Sequence, residues 1–346
     1  MEPRQLGSSG LFVPPIAFGT GTFGGGPDWP YGNTDVTLAR RLVDRCVDAG
    51  ANLFDSADVY GAGSAQEMLG EVIEGRRDQV LLSVKVGLPT GPGPADTGSG
   101  RSHLVDACEA ALRRLRTDHI DLCQLHAFDA RVPVEETLAT LGDLVQAGKI
   151  RYLGVSNFAA WQVMKSLAAA ERGGYPRYAG QQVYYSLVGR DFEVELMALG
   201  LDQGLGAMVW SPLAGGWLAG SVRRDQPPKA GSRLARLGDA GPPVERELLY
   251  RVMEALDEIS AEIGKSVGQI AINWLLQRPT VASVIVGADD AEQLDQNLDA
   301  VGWSLTAEHV AKLDAASTTP LGYPHFFYHR DEPFAVLSPP AIRRAL

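Results

Sequence analysis

Four side chains suited to proton chemistry stand at or just after the ends of apolar runs. Asp55 and Tyr60 lie in "NLFDSADVYG", Lys85 ends "QVLLSVK" and His126 directly follows "HIDLCQL". A free phenol has a pKa of about 10, so it is a poor proton donor at neutral pH unless a nearby cation favours its anion. Lys85 can be that cation if Asp55 holds it charged. His126 can donate a hydrogen bond to a carbonyl oxygen.

Taken singly, each of these residues also has an ordinary structural role: a helix cap, a surface charge, a core histidine or an aromatic lid. Together they predict a general acid directed at a carbonyl oxygen. The sequence contains no Gly-x-Ser-x-Gly elbow, P-loop or metal-ligand cluster that would supply a nucleophile. A hydride from a bound nicotinamide needs no such residue. His325 and His329 in "HFFYH" have zinc-like spacing but lack a third ligand, so we expect no metal.

The elements that must position these side chains alternate regularly. After a short hairpin around "LGSSG", eight apolar runs are each followed by a helical pattern. The runs are continuously apolar, as parallel strands buried on both faces require. We therefore predict an α/β fold, a (β/α)8 TIM barrel, in which the carboxyl ends of the strands meet at one rim. The strands are "IAF" (16–18), "ANLFD", "QVLLSVK", "HIDLCQL", "IRYLGV", "AGQQVYY", "LGAMVW" and "VASVIVG".

Two predicted helices have identifiable ends. The first runs over about 34–49 and is closed by Gly50. The second begins with a capping box formed by Ser64 and Glu67 and stops at Gly75.

A barrel of this kind takes about 250 residues, so 346 residues predict one domain, 1–346, with insertions. The segment 211–243 is expected to cover a cofactor, and the tail 317–346 is expected at the barrel mouth. "GTGTFG" (19–24) matches a dinucleotide fingerprint, but "GGPDWPYGN" follows it and cannot form the required helix. We interpret the motif as a loop at the mouth.

The charge and hydropathy of the chain limit the classes of partner that it can bind. A net charge of -11 disfavours nucleic acid and anionic lipid, and no basic run offsets it. No apolar run reaches the roughly 18 residues that span a bilayer, and "MEPRQLGSSG" lacks a signal-peptide core, so we expect a cytoplasmic protein without a membrane partner. Cys46, Cys108 and Cys123 have no CxxC spacing and are expected to be buried, reduced thiols.

Several long motifs resemble the aldo-keto reductase family over nearly the whole chain. "NLFDSADVYGAGSAQEMLG" resembles the segment of its catalytic aspartate and tyrosine, "LLSVKVG" its lysine strand and "IDLCQLHAFD" its histidine strand. "GKIRYLGVSNF" and "SPLAGG" also match. "SVIVGADDAEQLDQNLDAVGWSLT" is similar to the aryl-alcohol-dehydrogenase-like and potassium-channel-β-like branches. The resemblance implies a catalytic tetrad of Asp55, Tyr60, Lys85 and His126, with Tyr60 as the acid in reduction.

The same resemblance implies where a nicotinamide cofactor binds. Ser156, Asn157 and Gln182, at the ends of their strands, would hold the carboxamide. Trp210 would stack on the nicotinamide ring, with core packing as the alternative, and the "SPLAGG" loop would cover the pyrophosphate. The implied cofactor-binding residues are Gly19, Thr20, Gly21, Asp55, Ser156, Asn157, Gln182, Trp210, Ser211, Leu213, Gly287, Asp289, Gln293 and Asn297.

The choice between NADPH and NADH depends on the last strand–helix unit. Relatives that use NADP commonly carry basic residues there, whereas this chain reads "GADD" from Gly287. A carboxylate such as Asp289 repels a 2′-phosphate and can accept a hydrogen bond from a free ribose hydroxyl. The family habit still favours NADPH, which we expect, with NADH as the alternative. Further support for a phosphate would come from the helix dipole, from the amides of Gln293 and Asn297, and from Arg330, Arg343 and Arg344.

The sequence thus predicts an NAD(P)H-dependent reductase of aldehydes or ketones. Asp58, in the same loop as Tyr60, is expected to be a solvated charge. Two alternatives stay open: an NAD-dependent dehydrogenase of sugars or alcohols, and a cofactor-sensing regulatory subunit of the channel-β type. A homo-oligomer is compatible with each. The aromatic residues expected around the mouth favour aromatic or bulky carbonyl substrates, and they are Trp29, Tyr31, Phe128 and Trp217.

Overall fold

A short hairpin opens the chain and closes one end of a barrel. It joins β1 (Arg4–Gln5) to β2 (Phe12–Val13) in antiparallel pairing. The Arg4 guanidinium donates hydrogen bonds to the carbonyl oxygens of Leu276 (2.7 Å) and Val281 (3.2 Å). Because the hairpin covers the end at which the strands begin, a site is left only at the opposite end. The computed structural model describes residues 1–25, 31–32, 34–226, 228, 232–238 and 241–327.

Eight parallel strands form the closed barrel. Each strand pairs with the next one along the chain, and the last pairs with the first. This confirms the predicted (β/α)8 barrel with an N-terminal hairpin. In chain order the strands are β3 (Ile16–Gly19), β4 (Leu53–Ala57), β5 (Leu81–Val86), β6 (Ile120–Leu125), β7 (Ile150–Ser156), β8 (Tyr178–Tyr184), β9 (Gly206–Trp210) and β10 (Val281–Val286).

Helices cover the outside of the barrel, where their apolar faces join the outward residues of the strands in one core. Three of them, α7 (Arg233–Leu237), α8 (Arg246–Ile263) and α11 (Ala307–Ser317), have no counterpart in the predicted pattern, and α8 and α11 pack against each other. In chain order the helices of the described residues are α1 (Val36–Asp48), α2 (Ser64–Val72), α3 (Arg101–Leu115), α4 (Val134–Gln146), α5 (Ala160–Gly173), α6 (Leu196–Gln203), α7 (Arg233–Leu237), α8 (Arg246–Ile263), α9 (Val267–Leu276), α10 (Ala291–Leu298) and α11 (Ala307–Ser317).

The start of α2 differs from the prediction. The helix begins at Ser64 itself, after Gly63 with a φ of 99°. The Ser64 hydroxyl lies 2.7 Å from the carbonyl oxygen of Gly24 and 2.8 Å from that of Gly61, so it serves the preceding loop instead of the helix. The predicted capping box of Ser64 and Glu67 is therefore wrong, and the helix ends at Val72 instead of near Glu74.

Other predictions about local structure can be compared directly. Gly19 ends β3, and no helix follows in the described residues before Val36, as expected for a loop. Cys46, Cys108 and Cys123 are buried and not bonded to one another. Within the described residues, no helix combines the length and the apolar character needed to cross a membrane.

The closed end of the barrel gives a stability prediction at Gly206. A Cβ there would lie 2.5 Å from the backbone nitrogen of Gly7 and 2.6 Å from a methyl carbon of Leu6. Gly206→Ala should therefore lower the free energy of unfolding by about 2 kcal/mol, because the hairpin must shift. Urea unfolding measures it. Gly322→Ala, where no atom lies within 4 Å of the added methyl, is the control. Equal stability of the two variants would contradict the close packing.

Candidate active site

An ion pair between Asp55 and Lys85 lies inside the open end of the barrel. The two side chains are only 3% and 2% exposed. Asp55 was predicted to end its strand. Because β4 continues to Ala57, Asp55 instead lies in the middle of the strand. In the register, Ala57 is the neighbour of Lys85, which places Asp55 deeper in the barrel. Burying either charge alone is costly, so each requires the other.

Neutral donors complete the coordination of the Asp55 carboxylate. One oxygen binds Lys85, while the other accepts hydrogen bonds from the Ser83 hydroxyl and the Gln182 amide, both at 2.8 Å. The Gln124 amide lies 3.5 Å from the same oxygen and donates to Ser83 at 2.8 Å. The carboxylate is thus held by three strands besides its own.

Ser83 and Gln124 are part of the site that the sequence analysis missed. Each precedes a predicted catalytic residue by two positions, Lys85 in one case and His126 in the other. Because side chains alternate along a strand, residues two apart face the same side. A polar residue at this spacing in an otherwise apolar strand was the available signal.

Tyr60 lies in a 3₁₀ turn after β4, beside the ion pair. The Lys85 ammonium is 5.0 Å from the centroid of the phenol ring. Burial raises the pKa of Tyr60, and although the positive charge of Lys85 opposes this, the net direction is upward. The positive charge of Lys85 thus favours ionisation of the Tyr60 phenol, as expected, but burial has the larger effect on the pKa. Tyr60 keeps its proton at neutral pH and is available as a donor.

Lys85 remains charged in this buried position. Burial alone would lower the pKa of its ammonium, but Asp55 and the Tyr60 hydroxyl, through charge and hydrogen bonds, outweigh burial and raise it. The ammonium can thus stabilise negative charge that develops on the phenol oxygen when the proton leaves.

His126 follows β6 and lies beside Tyr60. The ring centroids are 6.3 Å apart with an interplanar angle of 83°. Burial, followed by the charge of Lys85, lowers the pKa of His126 to about 3. Its buried Nδ1 has no hydrogen-bond partner among the described residues. If the ring hydrogen were on Nδ1, a buried N–H donor would have no acceptor. With the hydrogen on Nε2, only a lone pair at Nδ1 is without a partner, so we assign the Nε2 tautomer.

A second group of polar side chains continues from the tetrad. Ser156 ends β7, and its buried hydroxyl has no partner in the described part of the chain. Asn157 accepts a hydrogen bond from the Trp210 indole and donates one to the carbonyl oxygen of His126, both at 3.1 Å. Gln182 is bound to Asp55 and lies two residues before the end of β8, inside the strand instead of at its end. The structure thus brings these residues to the same rim as the tetrad.

The loop after β3 lies on the other side of the tetrad. The backbone N–H of Thr20 donates to the carbonyl oxygen of Asp55 at 2.9 Å, and its hydroxyl does so at 3.1 Å. A Cβ on Gly21 would lie 3.9 Å from the Tyr60 ring, and one on Gly19 would lie 3.0 Å from an Ile285 methyl. These glycines keep the backbone close to the site.

The residues after β9 and β10 form a third group, further from Tyr60 in the chain. The Ser211 hydroxyl accepts a hydrogen bond from the N–H of Gly215 at 2.9 Å, next to Leu213 in the same turn. At the start of α10, the Gln293 side chain accepts from the N–H of Asp289 at 3.2 Å, and Asn297 donates to the carbonyl oxygen of Gly287 at 3.2 Å.

The acidic start of α10 has a basic partner. Arg236, in α7 of the long segment after β9, lies 3.2 Å from the carboxylate of Asp289. Asp290 is the N-cap of α10, where its carboxylate accepts the N–H of Gln293 at 2.8 Å. Arg330, Arg343 and Arg344, the tail residues predicted to support a phosphate, lie outside the described residues.

The predicted substrate residues occupy different surroundings. Tyr31 is close enough for its phenol to influence Tyr60 electrostatically. Phe128 packs edge-to-face against Phe158 and Trp161, with centroids 5.3 and 5.6 Å away. Trp217 carries the Arg246 guanidinium 3.7 Å from its ring centroid. Trp29 lies outside the described residues.

Two remaining predictions concern charge and metal. Asp58 is 3% exposed, so the prediction of a solvated charge is wrong. The sequence did not reveal this because the neighbours of the carboxylate come from β5, β6 and α3, which are distant from it in the chain. Among the described residues, no group of three acidic, His or Cys side chains has a metal-binding arrangement. His325 belongs to a short 3₁₀ turn, and His329 lies outside the described residues.

The arrangement fits a nicotinamide at the rim. The Ser156 hydroxyl is buried and has an unused donor and acceptor, which is what a carboxamide group requires. The Trp210 indole is fixed by its hydrogen bond to Asn157. The Tyr184 ring packs on the indole, with the two ring centroids 5.2 Å apart.

Comparisons with known proteins show which sequences this chain is similar to. The model of the Aldo/keto reductase family matches residues 15–318. An uncharacterized oxidoreductase of Bacillus subtilis, YrpG, is 34% identical over 91% of this chain and 95% of its own. A probable voltage-gated potassium channel subunit beta of Arabidopsis thaliana is 35% identical over 87% and 91%. The L-glyceraldehyde 3-phosphate reductase of Escherichia coli O157:H7 is 30% identical over 91% and 92%.

The low pKa of His126 gives a prediction about pH. The ring should remain neutral from pH 8 down to pH 5, whereas histidines of the urea-unfolded chain titrate at about pH 6.5. NMR of ring-labelled histidine, with His126→Asn for assignment, measures this. Between about pH 6.5 and pH 3, His126 binds a proton in the unfolded chain but not in the folded one. The contribution of His126 to the stability of the fold therefore decreases as pH falls through this range. Titration of His126 near pH 6.5 in the folded protein would contradict the assignment.

Proposed function

This chain belongs to the aldo/keto reductase family, and from that premise we propose that it reduces aldehydes or ketones with NADPH, using Tyr60 as the general acid. The observation that carries the proposal is the phenol of Tyr60 next to Lys85, which is buried and paired with Asp55, with the His126 imidazole beside the phenol. A bound NADPH supplies the hydride that goes to the carbonyl carbon.

The side chains of the site divide the remaining work. His126, neutral and with hydrogen on Nε2, donates a hydrogen bond to the carbonyl oxygen and orients it. Tyr60 transfers its proton to that oxygen as negative charge develops there. The Lys85 ammonium stabilises the phenolate that results, and Asp55 keeps the ammonium charged and in place.

We further propose that the predicted cofactor residues act in their three groups. Ser156, Asn157 and Gln182 would hold the carboxamide beside Trp210, and the loop of Gly19, Thr20 and Gly21 would border the same ring. Ser211 and Leu213 would meet the pyrophosphate, with the segment 211–243 folded over it. Gly287, Asp289, Gln293 and Asn297 would receive the adenosine end.

The substrate class follows from the aromatic side chains near the mouth. Tyr31 lies near Tyr60, and Phe128 forms an aromatic cluster with Phe158 and Trp161. Apolar rings around a polar reacting centre favour aromatic or bulky carbonyl compounds. A screen of aromatic aldehydes, ketones and sugars, following the absorbance of the reduced nicotinamide, tests this. Turnover of small sugars alone would contradict it.

A second function is favoured by the similarity to probable channel beta subunits. In that case the chain would bind the cofactor and report its redox state to a partner protein. Tight cofactor binding without turnover of any carbonyl in the same screen would favour this alternative.

The first prediction of the proposed function concerns Tyr60. Tyr60→Phe should lower turnover by at least about a hundredfold, because only the proton donor is lost. The dissociation constant of NADPH, measured by protein fluorescence, should change less than about twofold, since the ring remains. Tyr152→Phe, which alters a phenol packed at the closed end of the barrel, is the matched control. Retention of most of the turnover would remove Tyr60 from the mechanism.

The second prediction concerns the choice of cofactor. Because Arg236 pairs with Asp289, the carboxylate should not exclude a 2′-phosphate, and kcat/KM should be higher for NADPH than for NADH. Arg236→Ala should reduce this preference by about fivefold, the size expected for a partly exposed pair. Arg224→Ala, which breaks the exposed pair with Glu247, is the control. Dissociation constants of both cofactors provide a readout without catalysis. A tenfold preference of the native protein for NADH would refute the choice.

A further inference from the structure

The turn that carries Tyr60 has an unfavourable backbone. Gly61, Ala62 and Gly63 have φ values of 54°, 54° and 99°, so three consecutive residues are left-handed. Ala62 pays a steric penalty in this region because it has a Cβ. Such a turn keeps one conformation only if contacts from outside hold it.

Arg114, which projects from α3, lies directly behind this turn. Its guanidinium carbon would be 2.4 Å from a Cβ on Gly63, so the arginine and the glycine backbone are in close contact. One guanidinium nitrogen donates to the side-chain oxygen of Gln66 in α2 at 3.3 Å. The arginine thus touches both the end of the turn and the helix that follows it.

The other end of the turn is formed by Asp58, a buried carboxylate that the proposed mechanism does not use. Neither of its oxygens has a hydrogen-bond partner of good geometry among the described residues. The nearby N–H groups of Gly87 and Val59, followed by the charges of Arg114 and Lys85, favour its ionised form. A buried carboxylate without a well-formed hydrogen bond costs stability, and such groups cluster at functional sites.

We propose that Asp58 and Arg114 are positioning residues for Tyr60, holding the turn 58–63 from its two ends so that the phenol stays beside Lys85. This inference rests on the proposed role of Tyr60 as the acid. The attraction between the Asp58 carboxylate and the Arg114 guanidinium acts across the base of the turn. It opposes the tendency of the left-handed residues to relax.

The attraction depends on pH. Burial raises the pKa of Asp58 to about 6, although the N–H groups of Gly87 and Val59 and the charges of Arg114 and Lys85 lower it. The Cys123 thiol of β6 also faces this carboxylate. Below about pH 6 the carboxylate takes up a proton, the attraction to Arg114 is lost, and turnover should fall.

Stability should respond in the opposite sense. The folded pKa of Asp58 lies above its ordinary value of 3.8, so the folded state loses stability as pH rises from about 3.8 through about 6. Asp58→Asn removes this penalty. A variant that is as stable as the native chain at pH 7.5, or more so, but turns over more slowly would distinguish a positioning role from a structural one.

The experiment compares Asp58→Asn and Arg114→Met with the native chain. Single-turnover reduction at pH 7.5 should slow roughly tenfold to a hundredfold in both variants, the range expected when a reacting group is displaced. In Asp58→Asn the decline of the rate below about pH 6 should disappear. The dissociation constant of NADPH should stay the same. Asp44→Asn and Arg116→Met, which alter exposed side chains of two other ion pairs, are the matched controls, and Arg114→Lys should recover part of the rate.

Amide hydrogen exchange of the segment 58–63 is measured on the same variants. Faster exchange in both variants, confined to this segment, is expected. Unchanged exchange overturns the proposal, and so does an unchanged rate with the same pH profile. Parallel losses of melting temperature, cofactor affinity and rate in Asp58→Asn also overturn it, because they indicate a structural role. If the native chain reduces no carbonyl, the proposed function fails, while the exchange measurement still decides whether the two residues hold the turn.

Discussion

The ion pair of Asp55 and Lys85 is the interaction on which the rest of the site depends. Two opposite charges lie almost fully buried inside a barrel, where neither would be tolerated alone. The cost of removing them from water is offset by the donors that surround Asp55, from Ser83, Gln124 and Gln182. These donors come from three other strands, so the pair can form only when the barrel register is correct. The buried ion pair therefore requires the correct barrel register, and an incorrect register would leave its charges without their partners.

The same burial acts in opposite directions on the two neighbours of this pair. It raises the pKa of Tyr60 and lowers that of His126, because in each case it disfavours the charged form. Both side chains are consequently neutral over the physiological range, and both carry a hydrogen that they can donate. Lys85 is the positive charge at the centre, and its field opposes the rise for Tyr60 and reinforces the fall for His126.

Outside the barrel wall, two arginines contact elements that are distant from them in the sequence. Arg114 of α3 supports the turn before α2, and Arg236 of α7 approaches the acidic start of α10. Both arginines belong to segments whose sequence shows no catalytic motif. Their contacts, with a glycine of the turn in one case and with a carboxylate in the other, depend on position in space.

The sequence by itself determined the barrel and the hairpin and predicted Asp55, Tyr60, Lys85 and His126 as one group, because continuous apolar runs and polar residues near their ends are local patterns. Only the tertiary structure decided the environment of each side chain. Asp58 is hydrophilic in a loop sequence yet buried, since Lys85 of β5, Arg114 of α3 and Cys123 of β6 surround its carboxylate. Ser64 serves the preceding turn instead of its own helix, since Gly24 and Gly61 offer carbonyl oxygens there. Ser83 and Gln124 acquire a role only when neighbouring strands align them with Asp55. Burial and cross-strand contact arise from residues far apart in the chain, and no local pattern encodes them.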